Sequence, residues 1–231
     1  MFHLFGEMKL QVLTVVLLTV FVLGCDATLS MPSPVAHTEI APTQPGASTI
    51  PAPARRTVAA SDLGARIALA AEDQVGVTTI YDAQYVRLAY PNGDVPLERG
   101  TCTDVVVRAF RAIGVDLQVR VHEDMQKNFS VYPKDWGLTA PDSNIDHRRV
   151  QNLSKYFERM GKQVKEIDAD GSYKPGDVVA WQLSGWMQHI GIVALDRVPG
   201  TKRYYMIHNI GAGTQKEDAL RSFTIIGHYR W

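Results

Sequence analysis

The chain has 231 residues, in which 24 lysines and arginines balance 24 aspartates and glutamates, so its formal net charge is zero. This length suffices for one mid-sized domain with a hydrophobic core and a tail. Nothing in this neutral balance suggests the basic stripe that binds nucleic acid, so we expect no nucleic-acid partner. The sequence also lacks internal repeats and nucleotide or redox cofactor motifs.

The N-terminus has the pattern of a bacterial lipoprotein signal. The apolar stretch 10–23 is short for a membrane span and suits the central region of a signal peptide. Translation from Met8 would give it a conventional basic start. The small residue before Cys25 resembles a lipobox, which predicts a signal peptide over residues 1–25 and a lipidated Cys25 that anchors the chain in the membrane. Asp26 suggests retention in the inner membrane. An uncleaved anchor and an ordinary signal cut elsewhere are the alternatives.

A linker is predicted between this signal and the folded part of the chain. Residues 26–60 are rich in Pro, Ala, Ser and Thr and show neither helical nor strand periodicity. Such a composition offers too little apolar surface to offset the entropy of ordering. We therefore predict a flexible tether over this segment and a folded domain over residues 61–231.

The folded domain begins with helical patterns and continues with strand patterns. Apolar residues at helical spacing predict three helices, over residues 61–74, 102–113 and 150–160. Met160 is expected to face inward. Turn residues then separate four predicted strands, over residues 178–181, 189–194, 204–208 and 222–229. Helices followed by antiparallel strands predict an α+β domain.

Cys102 is the residue that points most directly to chemistry. The sequence has two cysteines, and lipidation of Cys25 leaves Cys102 without an intrachain partner. Its place at a predicted helix N-terminus favours the thiolate, because the free N–H groups there stabilise negative charge. Together with His189 and His208 on later predicted strands, it supplies the nucleophile and the histidine partners that a cysteine hydrolase needs. The alternative is that Cys102 is a small buried apolar residue and the histidines are structural.

Four elements in one order carry a family resemblance. They are a helix that starts at Cys102, the turn Pro175-Gly176-Asp177, and strands over residues 189–193 and 206–208. In this order they resemble the NlpC-type peptidases of bacterial cell walls, which have a papain-like fold. The resemblance implies that Cys102 is the nucleophile, His189 the base and His208 the group that orients His189. Asn209 stays open as an alternative third residue.

A closer likeness is to an uncharacterised bacterial family known as domain of unknown function 1287. This likeness extends over nearly all of the folded domain. It includes the segments 121–125, 144–149 and 208–213, which read VHEDM, NIDHRR and HNIGAG. The expected chemistry rests on the NlpC-type pattern, because the closer family is uncharacterised.

The residues around Cys102 depart from the NlpC-type pattern Asp-Cys-Ser-Gly. This chain has Thr-Cys-Thr-Asp instead, with Asp104 two positions after the cysteine. A carboxylate near the thiol raises its pKa, unless the carboxylate pairs with Arg108 one turn later. The resemblance also implies an upstream tyrosine that binds the oxyanion, for which Tyr90 is the candidate and Tyr85 the reserve.

A charged cluster and two tryptophans are further candidates for substrate binding. The cluster comprises Asp142, Asp146, His147, Arg148 and Arg149. Its arginines, with Arg148 as the predicted contact, suit the carboxylates of peptidoglycan stem peptides, although a solvated helix cap explains the cluster equally well. Trp181 and Trp186 can form the floor of a substrate groove or pack in the core.

The expected function is a lipid-anchored, periplasm-facing, monomeric cysteine hydrolase that cleaves peptide or amide bonds of peptidoglycan without a metal or cofactor. One alternative is a metal-dependent hydrolase that uses His147, His189, His208 and an Asp. The sequence lacks a tight ligand pair such as His-Glu-x-x-His, which weakens this alternative. The other alternative is a non-catalytic wall-binding module on the same scaffold.

Overall fold

The computed structural model describes residues 56–231. The helices of this part of the chain are α1 (Leu63–Glu72), α2 (Cys102–Arg111), α3 (Leu117–Asn128) and α4 (Val150–Arg159). Two short strands precede α2, namely β1 (Ile80–Tyr81) and β2 (Arg99–Gly100). The later strands are β3 (Val178–Gln182), β4 (Gln188–Arg197), β5 (Tyr204–Asn209), β6 (Thr214–Glu217) and β7 (Thr224–Tyr229).

The later strands form an antiparallel sheet in the order β6-β5-β4-β3-β7. Strand β4 is central, with Trp181 of β3 opposite His189 on one side and Ile207 of β5 opposite Ile192 on the other. The short strands β1 and β2 pair in parallel, with Tyr81 opposite Gly100. This pairing holds Tyr81 beside the chain that enters α2.

The two faces of the sheet are covered differently. Alternation along β3 sends Val178 and Ala180 to one face, where all four helices contribute to the larger hydrophobic cluster. Val179 and Trp181 point to the other face, where a smaller cluster includes Leu220 from the loop before β7. Helix α2 therefore packs on one face of the sheet, while the side chains aligned with Trp181 lie on the other.

The predicted α+β class is confirmed. Each predicted helix and strand is present with ends within three residues of those expected. Met160 is an exception to the predicted packing, because it follows the last turn of α4 and is exposed rather than buried.

Four elements, α3, β6 and the short strands β1 and β2, were not expected from the sequence. Helix α3 buries Leu117, Val121 and Met125, which recur every four residues and were a readable helical signal. Strand β6 reads TQKE and has no apolar pattern. It is a strand because β5 offers it a ladder of main-chain hydrogen-bonding groups at the edge of the sheet.

The predicted signal peptide, the lipidation site Cys25, Asp26 and most of the linker lie outside the described residues. The described end of the linker contacts the domain, because the Arg56 guanidinium donates to Asp196 of β4 at 2.7 Å. Within residues 56–231 there is no helix that combines the length and the apolar character of a membrane span.

Candidate active site

Helix α2 begins at Cys102 because the residues around it form a cap. Thr101 has the extended backbone of an N-cap residue, and its N–H donates to Asp104 Oδ2 at 2.6 Å. A carboxylate three residues into a helix satisfies a free N–H group and matches the positive end of the helix dipole. This cap places the Cys102 side chain at the first position of α2, where it is buried against β4.

The Cys102 sulfur is held by a main-chain group of β4. The N–H of Ile190, the residue after His189, donates to this sulfur, and N–H groups at the start of α2 contribute as well. Burial nevertheless raises the pKa of Cys102 to about 12, and the Asp104 carboxylate adds to the increase. The expectation that the helix N-terminus favours the thiolate is therefore wrong for the resting protein, because loss of hydration outweighs the helix.

His189 and His208 form a buried pair on neighbouring strands. His189 Nε2 lies 2.8 Å from His208 Nδ1, and the Trp181 ring stacks on the His189 imidazole with centroids 5.6 Å apart. Gly191 makes the pair possible, because a Cβ atom at this position would lie 3.0 Å from His208 Cβ. Packing against the indole and the close approach at Gly191 together fix the orientation of the two imidazoles.

A carboxylate extends this pair toward β6. Glu217 Oε2 lies 3.2 Å from His208 Nε2, without the alignment of a hydrogen bond. Its negative charge favours a proton on that nitrogen, so His208 Nδ1 accepts from His189 Nε2–H. His189 Nδ1 is then the unprotonated nitrogen. We did not identify Glu217 from the sequence, because only the register of β5 and β6 brings it to His208.

Both reacting groups are neutral at rest. Burial, and then the neighbouring His208, lower the pKa of His189 to about 3. Within residues 56–231, the thiol and the His189 imidazole share no hydrogen bond, and the thiol uses the Ile190 N–H instead. His189 precedes Ile190 on β4, so its imidazole points to the face of the sheet with Trp181, opposite the face on which Cys102 lies.

A cavity of about 270 Å3 opens beside Cys102. Its lining includes Tyr81, Arg148, Arg149, Trp136 and Trp186. Burial, and then the negative charge that Cys102 can develop, raise the pKa of Tyr81 to about 12, so its hydroxyl keeps its proton and can donate. Tyr81 is thus the tyrosine beside the thiol.

The tyrosines expected from the sequence lie elsewhere. Tyr90 is exposed and packs edge-on against His122, with ring centroids 5.5 Å apart. Tyr85 donates its hydroxyl to Asp142 at 2.9 Å. Neither lines the cavity beside Cys102. The spacing to the cysteine misled the choice, because the pairing of β1 with β2 brings the earlier Tyr81, and not Tyr90, beside the chain that enters α2.

Asp104 pairs with Arg148 rather than with Arg108. Arg148 Nε and Nη2 donate to the two Asp104 oxygens at 3.0 and 2.9 Å, and both side chains are buried. The other Arg148 donors reach the carbonyls of Gln84 and Asp82. Arg148 lines the cavity beside Cys102, but these bonds already use its donors, which does not favour the predicted substrate contact. Arg108 instead pairs with Asp94.

The remaining predicted residues serve the scaffold. Asn209 is fully buried and donates to the carbonyl of Gly100 at 3.0 Å, so it ties the end of β5 to the start of α2. It does not bond His189, whose partner is His208. Trp181 belongs to the core, whereas Trp186 is exposed and lies at the cavity.

Comparisons with known proteins place this chain in a family. The profile described as Domain of unknown function (DUF1287) matches residues 68–231. The chain belongs to the DUF1287 family. It is similar to "Uncharacterized protein YijF" of Escherichia coli (strain K12), with 51% identity over 169 residues that cover 71% of this chain and 80% of that protein. No solved structure matches the chain. The resemblance to the 1287 family is thus confirmed.

The histidines proposed for a metal site lie in two separate parts of this DUF1287 domain. His147 lies in a short helical turn, Asp146–Arg148, and the charges of Asp104 and Arg111 on α2 affect its pKa. His189 and His208 lie on β4 and β5. Within residues 56–231, no three His, Cys, Asp or Glu side chains are arranged to hold one metal ion.

Acid is expected to destabilise the DUF1287 domain through its buried histidines. Burial lowers the pKa of His147 from 6.5 to about 4, so the unfolded chain binds this proton first as the pH falls. Stability from this group is complete above pH 6.5 and is lost toward pH 4, by about 3 kcal/mol in all. Urea unfolding between pH 7 and 4.5 measures the loss. His147→Gln is expected to flatten the profile; an unchanged slope would contradict the assignment.

Proposed function

We propose that this protein is a cysteine hydrolase that cleaves peptide or amide bonds of peptidoglycan, on an NlpC-type, papain-like domain. One observation carries the proposal. Cys102, at the start of α2, accepts a hydrogen bond from the N–H that follows His189, and His189 is bonded to His208. A candidate nucleophile thus lies against β4, and a candidate base with the group that orients it lies on β4 and β5.

The architecture supports the papain-like assignment. The candidate nucleophile starts a helix that packs on an antiparallel sheet, and the histidines lie on adjacent strands of that sheet. This is the arrangement that the NlpC-type resemblance implies. Peptidoglycan as the substrate rests on that resemblance and on the lipoprotein-like N-terminus. We also propose that the protein is a monomer anchored through Cys25 on the periplasmic face of the membrane, a location that the lipoprotein-like N-terminus supports.

The reaction begins from the neutral pair. In this proposal the Cys102 thiol and the His189 imidazole, which lie on opposite faces of β4 at rest, come into contact when substrate binds, and His189 Nδ1 takes the thiol proton as sulfur attacks the amide carbonyl. Catalytic hydrogen bonds often tighten only when the substrate is bound. The Cys102 N–H and the Tyr81 hydroxyl are the proposed donors to the oxyanion.

Collapse of the intermediate completes the cycle. The C–N bond breaks, the amine leaves with the proton from His189, and the acyl group remains on sulfur as a thioester. Water then attacks the thioester and gives a proton to His189. Release of the acid returns that proton to sulfur, so the neutral pair is restored. His208 keeps His189 in the required tautomer throughout.

Glu217 is expected to act as a positioning residue. Glu217→Ala removes the charge that favours a proton on His208 Nε2, so we expect kcat to fall about tenfold while KM is nearly unchanged. Glu217→Gln should retain part of the activity, because its amide oxygen still accepts. Asp218→Ala, which removes the adjacent carboxylate that pairs with Arg203 instead of His208, is the matched control. Equal rates for Glu217→Ala and this control would contradict the role.

The decisive experiment couples thiol modification to peptidoglycan cleavage. A Cys25→Ser background leaves Cys102 as the single thiol. We expect this protein to release soluble fragments from purified peptidoglycan, with masses that identify the bond, and to lose activity in proportion to Cys102 alkylation. Alkylation at pH 7 should be at least about tenfold slower in His189→Ala, since a thiol of raised pKa needs the base. Cleavage that survives complete alkylation would refute the mechanism.

A non-catalytic wall-binding module is the second candidate. The specific observation in its favour is the protonated, buried thiol, which shares no hydrogen bond with an imidazole within residues 56–231. In this case Cys102 is a structural residue at the floor of a binding cavity. Binding to peptidoglycan without fragment release, together with alkylation that is equally slow in wild type and His189→Ala, would favour this candidate.

A further inference from the structure

Arg149 is a cation without a counterion beside the candidate nucleophile. Among the described residues 56–231, no carboxylate lies within ion-pair distance of its guanidinium, and its buried Nε has no hydrogen-bond partner. The guanidinium instead stacks over the Trp136 ring, 4.5 Å from the centroid. The adjacent Arg148 has the opposite character, because its donors are taken up by Asp104 and by main-chain carbonyls.

The surroundings of Arg149 form a place for a ligand. Arg149 lines the cavity that contains Cys102, and a second cavity of about 360 Å3 adjoins it. Both cavities share Trp136 and Trp186 as walls. Trp186 exposes 76% of its surface, so this large aromatic side chain contributes little to the core and is available to a bound molecule.

The electrostatics favour an anion at this position. Partial burial, and then the nearby charge of Arg148, lower the pKa of Arg149, which shows that its charge is poorly compensated. Asp135 borders the second cavity but forms no ion pair with Arg149 within the described residues. A guanidinium presents its donors in a planar fork that matches a carboxylate, and an aromatic ring behind it holds that plane.

From these contacts we infer that Arg149, held by Trp136, binds a free carboxylate of the substrate next to the scissile amide. The ligand class is an acidic peptide, with Trp186 covering its apolar part. This inference rests on the proposed function for the position of the scissile bond, whereas carboxylate binding at Arg149 stands without it. Arg149 is thus the residue that determines specificity, in place of Arg148.

Binding can be measured without turnover. Full-length Cys102→Ala protein is titrated with a soluble peptidoglycan stem peptide that has free carboxylates, and with the same peptide converted to carboxamides. Tryptophan fluorescence reports binding, because Trp136 and Trp186 line the site. We expect the carboxylate peptide to bind about tenfold more tightly, as a charge-assisted bidentate contact predicts.

Variants at two arginines separate a specific contact from general charge. Arg149→Gln should reduce the preference to less than about twofold, and Arg149→Lys should leave an intermediate value because lysine lacks the fork. Arg120→Gln removes an exposed positive charge on α3 and should keep the full preference. The inference would be overturned if the preference for the carboxylate peptide survived in Arg149→Gln or were absent from the parent protein. It would also be overturned if neither peptide bound.

The same samples distinguish this inference from the hydrolase proposal. If the peptides bind with an Arg149-dependent preference but protein with an intact Cys102 cleaves neither, the hydrolase proposal fails and the carboxylate site stands. If protein with an intact Cys102 cleaves both peptides with equal kcat/KM and binding shows no preference, the hydrolase stands and the carboxylate site is refuted.

Discussion

Replacement of Asp104 by asparagine is expected to lower the free energy of unfolding by about 3–5 kcal/mol. The change is nearly isosteric, but it leaves the Arg148 guanidinium buried without its counterion. It also weakens the cap at Thr101, whose N–H and hydroxyl both donate to Asp104 Oδ2. Urea unfolding followed by tryptophan fluorescence measures the loss.

Two further variants test the origin of this effect. Asp218→Asn removes the carboxylate of an exposed ion pair with Arg203 and should cost less than about 1 kcal/mol. The double variant Asp104→Asn/Arg148→Met removes the orphaned charge and should recover part of the stability. If Asp104→Asn costs no more than Asp218→Asn, the buried pair is not a major source of stability.

Replacement of Cys102 by alanine is expected to reduce kcat/KM on peptidoglycan by roughly three orders of magnitude or more. The thiol is the proposed nucleophile, and without it the cavity retains substrate binding but forms no thioester. Release of soluble fragments, quantified by mass, measures the loss. Stability should fall only modestly, because the change removes a single buried sulfur atom from the cluster between α2 and the sheet.

The controls for Cys102 separate chemistry from folding. Cys102→Ser preserves the volume and should be nearly as inactive as Cys102→Ala, since a buried hydroxyl is a much weaker nucleophile. Cys25→Ser should leave the turnover of a soluble substrate unchanged. Substantial hydrolysis by Cys102→Ala would exclude the cysteine mechanism.

The regular elements could be predicted from local patterns, whereas their contacts could not. The apolar periodicity of α2 and the turn residues around β4 are encoded within a few neighbouring positions. The same local reading placed His189 and His208 on strands, and the structure brings them together as a bonded pair.

Contacts between segments far apart in the sequence account for the misplaced site residues. Asp104 had an arginine one helical turn away, yet its partner is Arg148, from the segment before α4. Tyr81 reaches the thiol only because β1 pairs with β2. Glu217 reaches His208 through the register of two strands. None of these pairings leaves a signal in the spacing of a single sequence.

The state of Cys102 shows a different limit. A helix N-terminus predicts a lowered thiol pKa, but the extent of burial decides the outcome, and burial depends on the packing of α2 against β4. The proposed reaction therefore starts from a protonated thiol, which loses its proton as sulfur attacks, and not from a preformed thiolate.

The hydrogen bond from Ile190 to the Cys102 sulfur joins two segments that lie far apart in the sequence. A ribosome completes α2 well before it reaches β4, β5 and β6, so a growing chain carries the thiol without the groups that would activate it. Proteolysis that detaches the last strands would leave the same inert fragment. For the proposed wall hydrolase, this order of synthesis would restrict bond cleavage to finished, fully folded molecules.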